Sequence, residues 1–226
     1  EPDVRVIILA ANGKAFCAGH DLRQMQAARA NRDGGRAGYA ALFEGCSQLM
    51  QLITTLPQPV IAEVQGIATA AGCQLVASCD LAVAAQAVRF GVNGIDVGLF
   101  CSTPAVALSR AVPRKSAFEM LVTGDFITAP EAQRLGLINR AVAAGKLEAE
   151  TMALAQKIAA KLPAAIAMGK RSFYEQLGHD TADAYEAAAD TMVANMMLSD
   201  TNEGINAFLE KRPPRWAADL GTEAEA

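Results

Sequence analysis

The sequence has no surplus of positive charge. Its 20 Lys and Arg stand against 24 Asp and Glu, a formal net charge of −4 with a pI of about 5.3. That is the wrong sign for a chain that grips phosphate backbones by bulk electrostatics, so no nucleic-acid partner is expected. Long hydrophobic runs are missing too. The most apolar stretches, Leu81–Val88 and Leu162–Met168, are broken by Gln, Pro, Lys or Arg well before the ~20 residues a bilayer crossing needs, and no membrane span is expected. Histidine is scarce: His20 and His179 have no Cys or His at ligand spacing, which argues against a protein-built metal site. The five cysteines (Cys17, Cys46, Cys73, Cys79 and Cys101) form an odd set without C-x2-C pairs. They read as reduced thiols, which points to a cytoplasmic location.

What is present is apolar material for a core. Hydrophobic residues make up 52% of the 226 and charged residues 19%, the balance of a globular chain forming one large domain or one domain with an appendage. Val4–Leu9 is β-branched and apolar and leads into an Asn-Gly turn, so a strand followed by a loop is predicted, with Phe16–Leu22 continuing the loop. The Arg-, Asn- and Gly-containing stretch from Gln24 to Tyr39 is predicted to be mobile, until Leu42, Phe43, Leu49, Leu52 and Ile53 return at helical spacing. Strands are predicted over Pro59–Gly66, Leu81–Ala84, Val88–Gly91 and Ile138–Val142, and a helix within the small-residue run Ala68–Cys79. A loop is predicted over Val92–Cys101, and short helices over Pro104–Ala111 and Arg114–Thr123. Thr128-Ala-Pro-Glu131 is a capping box that starts a two-turn helix ended by Gly136. From Leu147 the pattern is helical, with breaks at Pro163, Gly178 and Asp200 and a stop at Pro213-Pro214. The expected organisation is an α/β part over residues 1–142 and a helical part over 143–226, with disorder confined to Gly221–Ala226. The chain opens on Glu1 and enters a strand almost at once. The native N-terminus is therefore expected upstream with any targeting segment, which leaves a mitochondrial location open beside the cytoplasmic one.

Two segments carry candidate chemistry. Phe16-Cys-Ala-Gly-His-Asp-Leu22 sets a glycine before a polar pair just after a strand; it is either an ordinary turn or a backbone N–H turned toward a ligand. Gly66-Ile-Ala-Thr-Ala-Ala-Gly-Cys-Gln74 joins a strand to a helix through small residues, either for close packing or to leave helix-start N–H groups approachable.

This pair of segments resembles the crotonase family, the enoyl-CoA hydratases and isomerases. The likeness extends through Pro59-Val-Ile-Ala-Glu-Val-Gln-Gly66, Cys79-Asp80, Val112-Pro-Arg-Lys115, Gly136-Leu137 and Glu203–Lys211, and it is most specific in Ala68–Asp80 and Val97–Pro104. The resemblance implies an α/β fold, a spiral of ββα units with a C-terminal helical oligomerisation region. It also implies a site for a fatty-acyl thioester of coenzyme A, with no cofactor beyond the coenzyme A of the substrate. The thioester oxygen is expected between the backbone N–H groups of His20 and Ala71, each worth about 2.7–4 kcal/mol to a developing oxyanion. Ala18, Asp21, Leu22, Arg23 and Gly72 are expected to line the substrate. Arg23 is a phosphate partner in this view, and Lys211 either a second one or a solvated helix-end cation.

The chain departs from the family where hydratases carry two glutamates, for here stand Gln74 and Gly94. Glutamine cannot take up a proton near neutral pH and glycine offers no group, so hydration is expected to be weak or absent. Asp96 could replace the second carboxylate only if its loop were re-aimed, and Cys101, Ser102 and Thr103 border the region without a base beside them in sequence. Three functions follow: a nominal enoyl-CoA hydratase or isomerase of fatty-acid metabolism, a decarboxylase of malonyl-type thioesters, or a non-catalytic acyl-CoA binder. Gly19-His20-Asp21 resembles the methylmalonyl-CoA decarboxylases of the family. The apolar residues Met192, Val193, Met196, Met197 and Leu198 exceed one buried helical face, and in the family such helices pack between subunits, so the resemblance implies a homotrimer or a hexamer made of two trimers.

Overall fold

The computed structural model describes residues 3–216, and the acidic end at 221–226 lies outside them. In chain order the elements are β1 (Ile7–Ala10), β2 (Ala15–Cys17), α1 (Leu22–Ala28), α2 (Arg36–Thr55), β3 (Val60–Val64), β4 (Ile67–Thr69), α3 (Ala71–Ser78), β5 (Leu81–Ala85) and β6 (Arg89–Gly91). A 3₁₀ turn at Asn93–Val97 follows, then α4 (Ser102–Ala111), α5 (Arg114–Thr123), β7 (Ile127–Thr128), α6 (Ala129–Leu135), β8 (Arg140–Val142), α7 (Leu147–Ala159), α8 (Pro163–Gln176), α9 (Thr181–Met196) and α10 (Ser199–Leu209).

Strands are dealt alternately to two sheets. One runs β1-β3-β5-β8 and the other β2-β4-β6-β7; all neighbours are parallel except the antiparallel pair β6–β7. Each of the pairs β1–β2, β3–β4 and β5–β6 adds one strand to each sheet, the α/β spiral of ββα units that the resemblance implies. In β3, Ile61, Ala62 and Val64 are fully buried, the near-continuous apolar run expected of a parallel strand covered on both faces. Two side chains complete the ladder: Asp80 Oδ2 accepts from the Val60 N–H at 2.6 Å, and Asn139 Oδ1 from the Ala82 N–H at 2.8 Å.

Several sequence expectations are corrected. Residues 15–17 are a strand rather than loop, because β2 pairs with β4. The run from Ala68 begins as strand and becomes helix only at Ala71. The stretch from Gln24 to Tyr39 contains the end of α1 and the start of α2. Two aspartates explain this: Asp21 Oδ1 caps α1 by accepting from Arg23 N at 2.8 Å, and Asp33 accepts from Gly35 N at 3.0 Å and Ala37 N at 2.8 Å. The Tyr39 hydroxyl then donates to the Met25 carbonyl at 2.7 Å and ties α2 to α1. Half of the expected capping box is present: the Thr128 hydroxyl accepts from Glu131 N, while the Glu131 carboxylate accepts from Arg134 instead of the Thr128 N–H, and Gly136 ends α6 at φ +89°. The break expected at Asp200 falls just before it, at Met197 and Leu198 between α9 and α10, and Asp200 lies in the first turn of α10.

Residues 6–56 and 60–156 form one unit, and 3–5, 57–59 and 157–216 a second. The second is the end of α7 with α8, α9 and α10. Within it the Arg212 guanidinium bridges Glu203 at 2.6 Å and Glu210 at 2.5 Å, Lys170 Nζ donates to the Gln58 carbonyl at 2.9 Å, and α9 leaves Tyr185, Met192, Val193, Met196 and the adjoining Met197 exposed.

Candidate active site

The site is assembled by two glycines that allow two loops to touch. Gly19 follows β2 at φ +89°, and a Cβ placed on it would lie 3.0 Å from Ala70 Cβ and 3.3 Å from the Ala71 nitrogen. A Cβ on Gly72, in the first turn of α3, would run into the Cys17 carbonyl oxygen. Only residues without a side chain permit this approach, and it sets residues 18–21 beside the start of α3.

One residue, Ala70, separates β4 from α3. Its φ of 51° and ψ of −119° are rare for an L residue, a strain of about 1–3 kcal/mol. The surroundings hold it there: the Ala70 N–H donates to the Gly91 carbonyl at 3.0 Å, and its carbonyl accepts the first bond of α3, from Gln74 N, at 3.1 Å. Ala71 is then the first helical residue, where an N–H has no intrahelical acceptor. Among the described residues neither the Ala71 N–H nor the His20 N–H donates to any protein acceptor.

Helix α2 forms the adjacent wall. Tyr39, Phe43, Cys46, Met50 and Ile53 recur at helical spacing and are among its less exposed positions. The His20 ring meets Phe43 edge-on, with centroids 5.7 Å apart at 70°. One turn along, the Cys46 thiol donates to Gln74 Oε1 at 3.8 Å. Burial, and then the neighbouring Cys17, raise the Cys46 thiol pKa. Gln74 itself is buried on α3. His20 Nε2 is buried without a hydrogen-bond partner among the described residues.

The opposite side is closed. Gly94 sits in the 3₁₀ turn, and a Cβ there would run into the Leu99 carbonyl oxygen and lie 2.8 Å from Cys101 Sγ. Its φ is not in the left-handed range, so lack of space and not conformation keeps the position bare. Leu99 N donates to the Gly94 carbonyl at 2.9 Å and holds the segment over it. Asp96 does not reach back to replace a carboxylate: it is exposed, accepts from Asn93 Nδ2 at 3.5 Å, and turns toward Gly124 at the end of α5. Asn93 Oδ1 accepts from the Thr69 hydroxyl at 2.7 Å and so fastens the turn to β4. Cys101 is buried and its thiol pKa is raised by desolvation, partly offset by the Gly94 N–H. Cys73 is pushed up to about 12, chiefly by burial. Ser102 is exposed at the start of α4.

The structure thus brings His20, Ala71, Gly72 and Gln74 together, with Ala18, Asp21, Leu22 and Arg23 exposed on the rim. Lys211 belongs to the second unit, exposed just past α10 with φ +56°. Sequence reasoning missed Phe43 and Cys46 as the wall and Leu99 as the plug. The i, i+4, i+7 pattern from Tyr39 carried the signal for the first pair. No group of three or more His, Cys, Asp or Glu among the described residues is arranged to hold a metal, and no helix among them is long and apolar enough to cross a membrane.

A family profile described as Enoyl-CoA hydratase/isomerase matches residues 1–219. The mouse (Mus musculus) "Enoyl-CoA hydratase domain-containing protein 3, mitochondrial" is 52% identical over 215 residues, spanning 95% of this chain and 70% of its own length. The crystal structure of an enoyl-CoA hydratase from Mycobacterium smegmatis is 58% identical, with a TM-score of 0.90 over 94% of this chain and 81% of that one. The crystal structure of human enoyl coenzyme A hydratase domain-containing protein 3 is 49% identical, with a TM-score of 0.90 over 96% of this chain and 83% of that one. These similarities agree with the likeness carried by residues 16–22 and 66–74, and with two sheets built from alternate strands: the chain belongs to the enoyl-CoA hydratase/isomerase, or crotonase, family.

Proposed function

We propose that this protein binds a fatty-acyl thioester of coenzyme A with the thioester oxygen between the His20 and Ala71 amides, stabilises the enolate formed there, and hydrates enoyl-CoA slowly or not at all. One observation carries the proposal: two N–H groups without protein acceptors stand on neighbouring loops that Gly19 and Gly72 allow to touch. Such donors are worth about 2.7–4 kcal/mol each to a developing oxyanion. Being main-chain groups, they do not depend on the imidazole of His20 or the methyl of Ala71.

Water activation is the part with little support. Gln74 can orient a water but cannot accept its proton, and the Gly94 position has no room for an acid or base. General acid–base groups typically supply about 10²–10⁴-fold each. That closed side favours a second reading, decarboxylation of a malonyl-type thioester. There the pair of electrons in the bond to the departing CO2 passes to the α carbon and thioester oxygen, and a proton later replaces CO2 at that carbon; the protein needs to stabilise only the enolate. A non-catalytic acyl-CoA binder is the limiting case.

Arg23 on the rim is assigned to a coenzyme A phosphate, and Lys211 is a further candidate for one. The exposed Met192, Val193, Met196 and Met197 support a homotrimer or a pair of trimers, which light scattering at micromolar protein tests. The cytoplasm is the compartment read from the cysteines. The mitochondrial naming of vertebrate relatives supports the other compartment, and cell fractionation separates the two.

Calorimetry with butyryl-CoA tests binding, and a soaked crystal tests where the thioester oxygen lies. Turnover of crotonyl-CoA and CO2 release from malonyl-CoA then separate hydratase, decarboxylase and binder. An oxygen found away from both amides, or no binding of any acyl-CoA, overturns the proposal.

A further inference from the structure

His20 Nε2 and Gln65 Oε1 are the two buried side-chain polar atoms without a hydrogen-bond partner among the described residues. Only the first is in the candidate site. Native proteins leave few such atoms unpaired, because the cost of desolvation is not recovered. The edge-on contact with Phe43 supplies packing for the ring but no partner for its nitrogen.

The position of this nitrogen matters. The His20 main-chain N–H is one of the two free amides, so the imidazole stands one side-chain length from whatever that amide binds. Along the same wall, Phe43 and Cys46 are three residues apart on α2, one turn, which sets the His20 ring and the Gln74 carboxamide side by side. Gln74 Oε1 takes only a long thiol bond at 3.8 Å. At Gly94 the space that a side chain would need is filled by the Leu99 main chain and Cys101 Sγ. Two underused polar groups therefore stand along the α2 wall of the candidate site, and position 94 carries no carboxylate.

We propose that the His20 imidazole pairs through Nε2 with an oxygen substituent on the acyl chain, so that the site selects oxygen-bearing acyl thioesters, hydroxyacyl or carboxyacyl, over hydrocarbon ones. This rests on the acyl-CoA site proposed above and adds a specificity-determining role for a side chain in it. A hydrocarbon chain leaves Nε2 desolvated and unpaired, whereas a hydroxyl or carboxylate oxygen satisfies it. The discrimination expected from one buried hydrogen bond is about five- to a hundredfold in affinity.

The test uses the whole chain with 3-hydroxybutyryl-CoA, malonyl-CoA and butyryl-CoA. Calorimetry is expected to show at least one of the first two binding about tenfold or more tightly than butyryl-CoA, and which of them does so identifies hydroxyl or carboxylate. His20→Phe, which keeps the contact with Phe43 but carries no nitrogen, is expected to abolish the preference, and His20→Gln to retain part of it. A direct readout needs no variant, because the chain has two histidines. With ¹⁵N-labelled imidazoles, the His20 Nε2 resonance should move differently with the preferred thioester than with butyryl-CoA, while exposed His179 stays in place as the internal control. Equal affinity of all three thioesters for the wild type, identical His20 shifts with each, or a preference that survives His20→Phe overturns the proposal and leaves the acyl-CoA site standing. No binding of any thioester overturns both.

Discussion

Gly19 and Ala71 come so close that a Cβ on the glycine would lie 3.3 Å from the Ala71 nitrogen, in a residue whose φ is already +89°. Contact and conformation both demand glycine there.

The first prediction separates those two demands. Gly98 also has a positive φ, +76°, but nothing lies within 4 Å of an added Cβ. Gly98→Ala is expected to cost about 1 kcal/mol by conformation alone. Gly19→Ala should cost about 1–3 kcal/mol and also weaken acyl-CoA binding tenfold or more, because the crowded loop shifts the His20 amide. Urea titrations and calorimetry on the two variants check this, and equal binding by both would remove Gly19 from the site.

Relief of strain gives the second. Ala70 holds φ 51° and ψ −119°, a region open to glycine. Ala70→Gly should stabilise the fold by about 0.5–1 kcal/mol net of the glycine's extra unfolded-state entropy, a rise in Tm of about 1–4 °C for a chain of this length. Scanning calorimetry reads it directly, and a lower Tm would mean that the Ala70 methyl contact outweighs the strain.

The third concerns Gln74 and Gly94, the positions that the family resemblance assigns to two glutamates. From sequence alone, changing both Gln74 and Gly94 to glutamate is expected to raise crotonyl-CoA hydration beyond the sum of the single changes. The structure divides them. Gln74→Glu is nearly isosteric and should raise the slow wild-type hydration by up to ~10²-fold, the low end for one acid–base group acting without its partner. Gly94→Glu must displace the Leu99 main chain and should cost about 2–4 kcal/mol with no gain in rate. Steady-state assays alongside melting curves decide, and a stable, faster Gly94→Glu variant would refute the closed side.

Acid titration supplies the fourth. Hydrogen bonds from Arg212 and from the Arg215 main chain hold the Glu203 carboxyl at about 2 instead of its ordinary 4.5. A folded pKa below the unfolded one means the contribution is complete above about pH 4.5 and fades as pH falls through about 2. Because the pair is solvent-exposed, the effect on overall stability should be small. Carboxyl ¹³C shifts should show Glu203 as one of the last groups to titrate, and Arg212→Ala should raise it toward the ordinary range, short of it while the Arg215 N–H still donates to the carboxylate.

Much of this was legible in the sequence because parallel strands buried on both faces read as apolar runs, as Val60–Val64 does. Helix stops at Gly136 and starts at Thr128 carry their own signals. What escaped was structure made by single polar caps: Asp21 and Asp33 turn a glycine-studded stretch into helix ends, and composition masks them. The two-residue β7 was invisible for a different reason, since its pairing partner β6 lies far back in the chain. At the site, the paired segments and the substitutions Gln74 and Gly94 could be read from residue types. The Leu99 plug could not, because it depends on how a 3₁₀ turn folds back over its own start.

The alternate dealing of strands has a metric consequence. The loop carrying His20 leaves β2 and the helix carrying Ala71 follows β4, and these strands are parallel neighbours in one sheet. Parallel neighbours lie about 4.7–4.9 Å apart. An oxygen that accepts two N–H bonds of about 2.9 Å at a near-tetrahedral angle holds its donors at almost the same separation. For the proposed two-amide site, the spacing of β2 and β4 is thus of the size that one shared oxygen requires, a match that is independent of which side chains stand at positions 20 and 71.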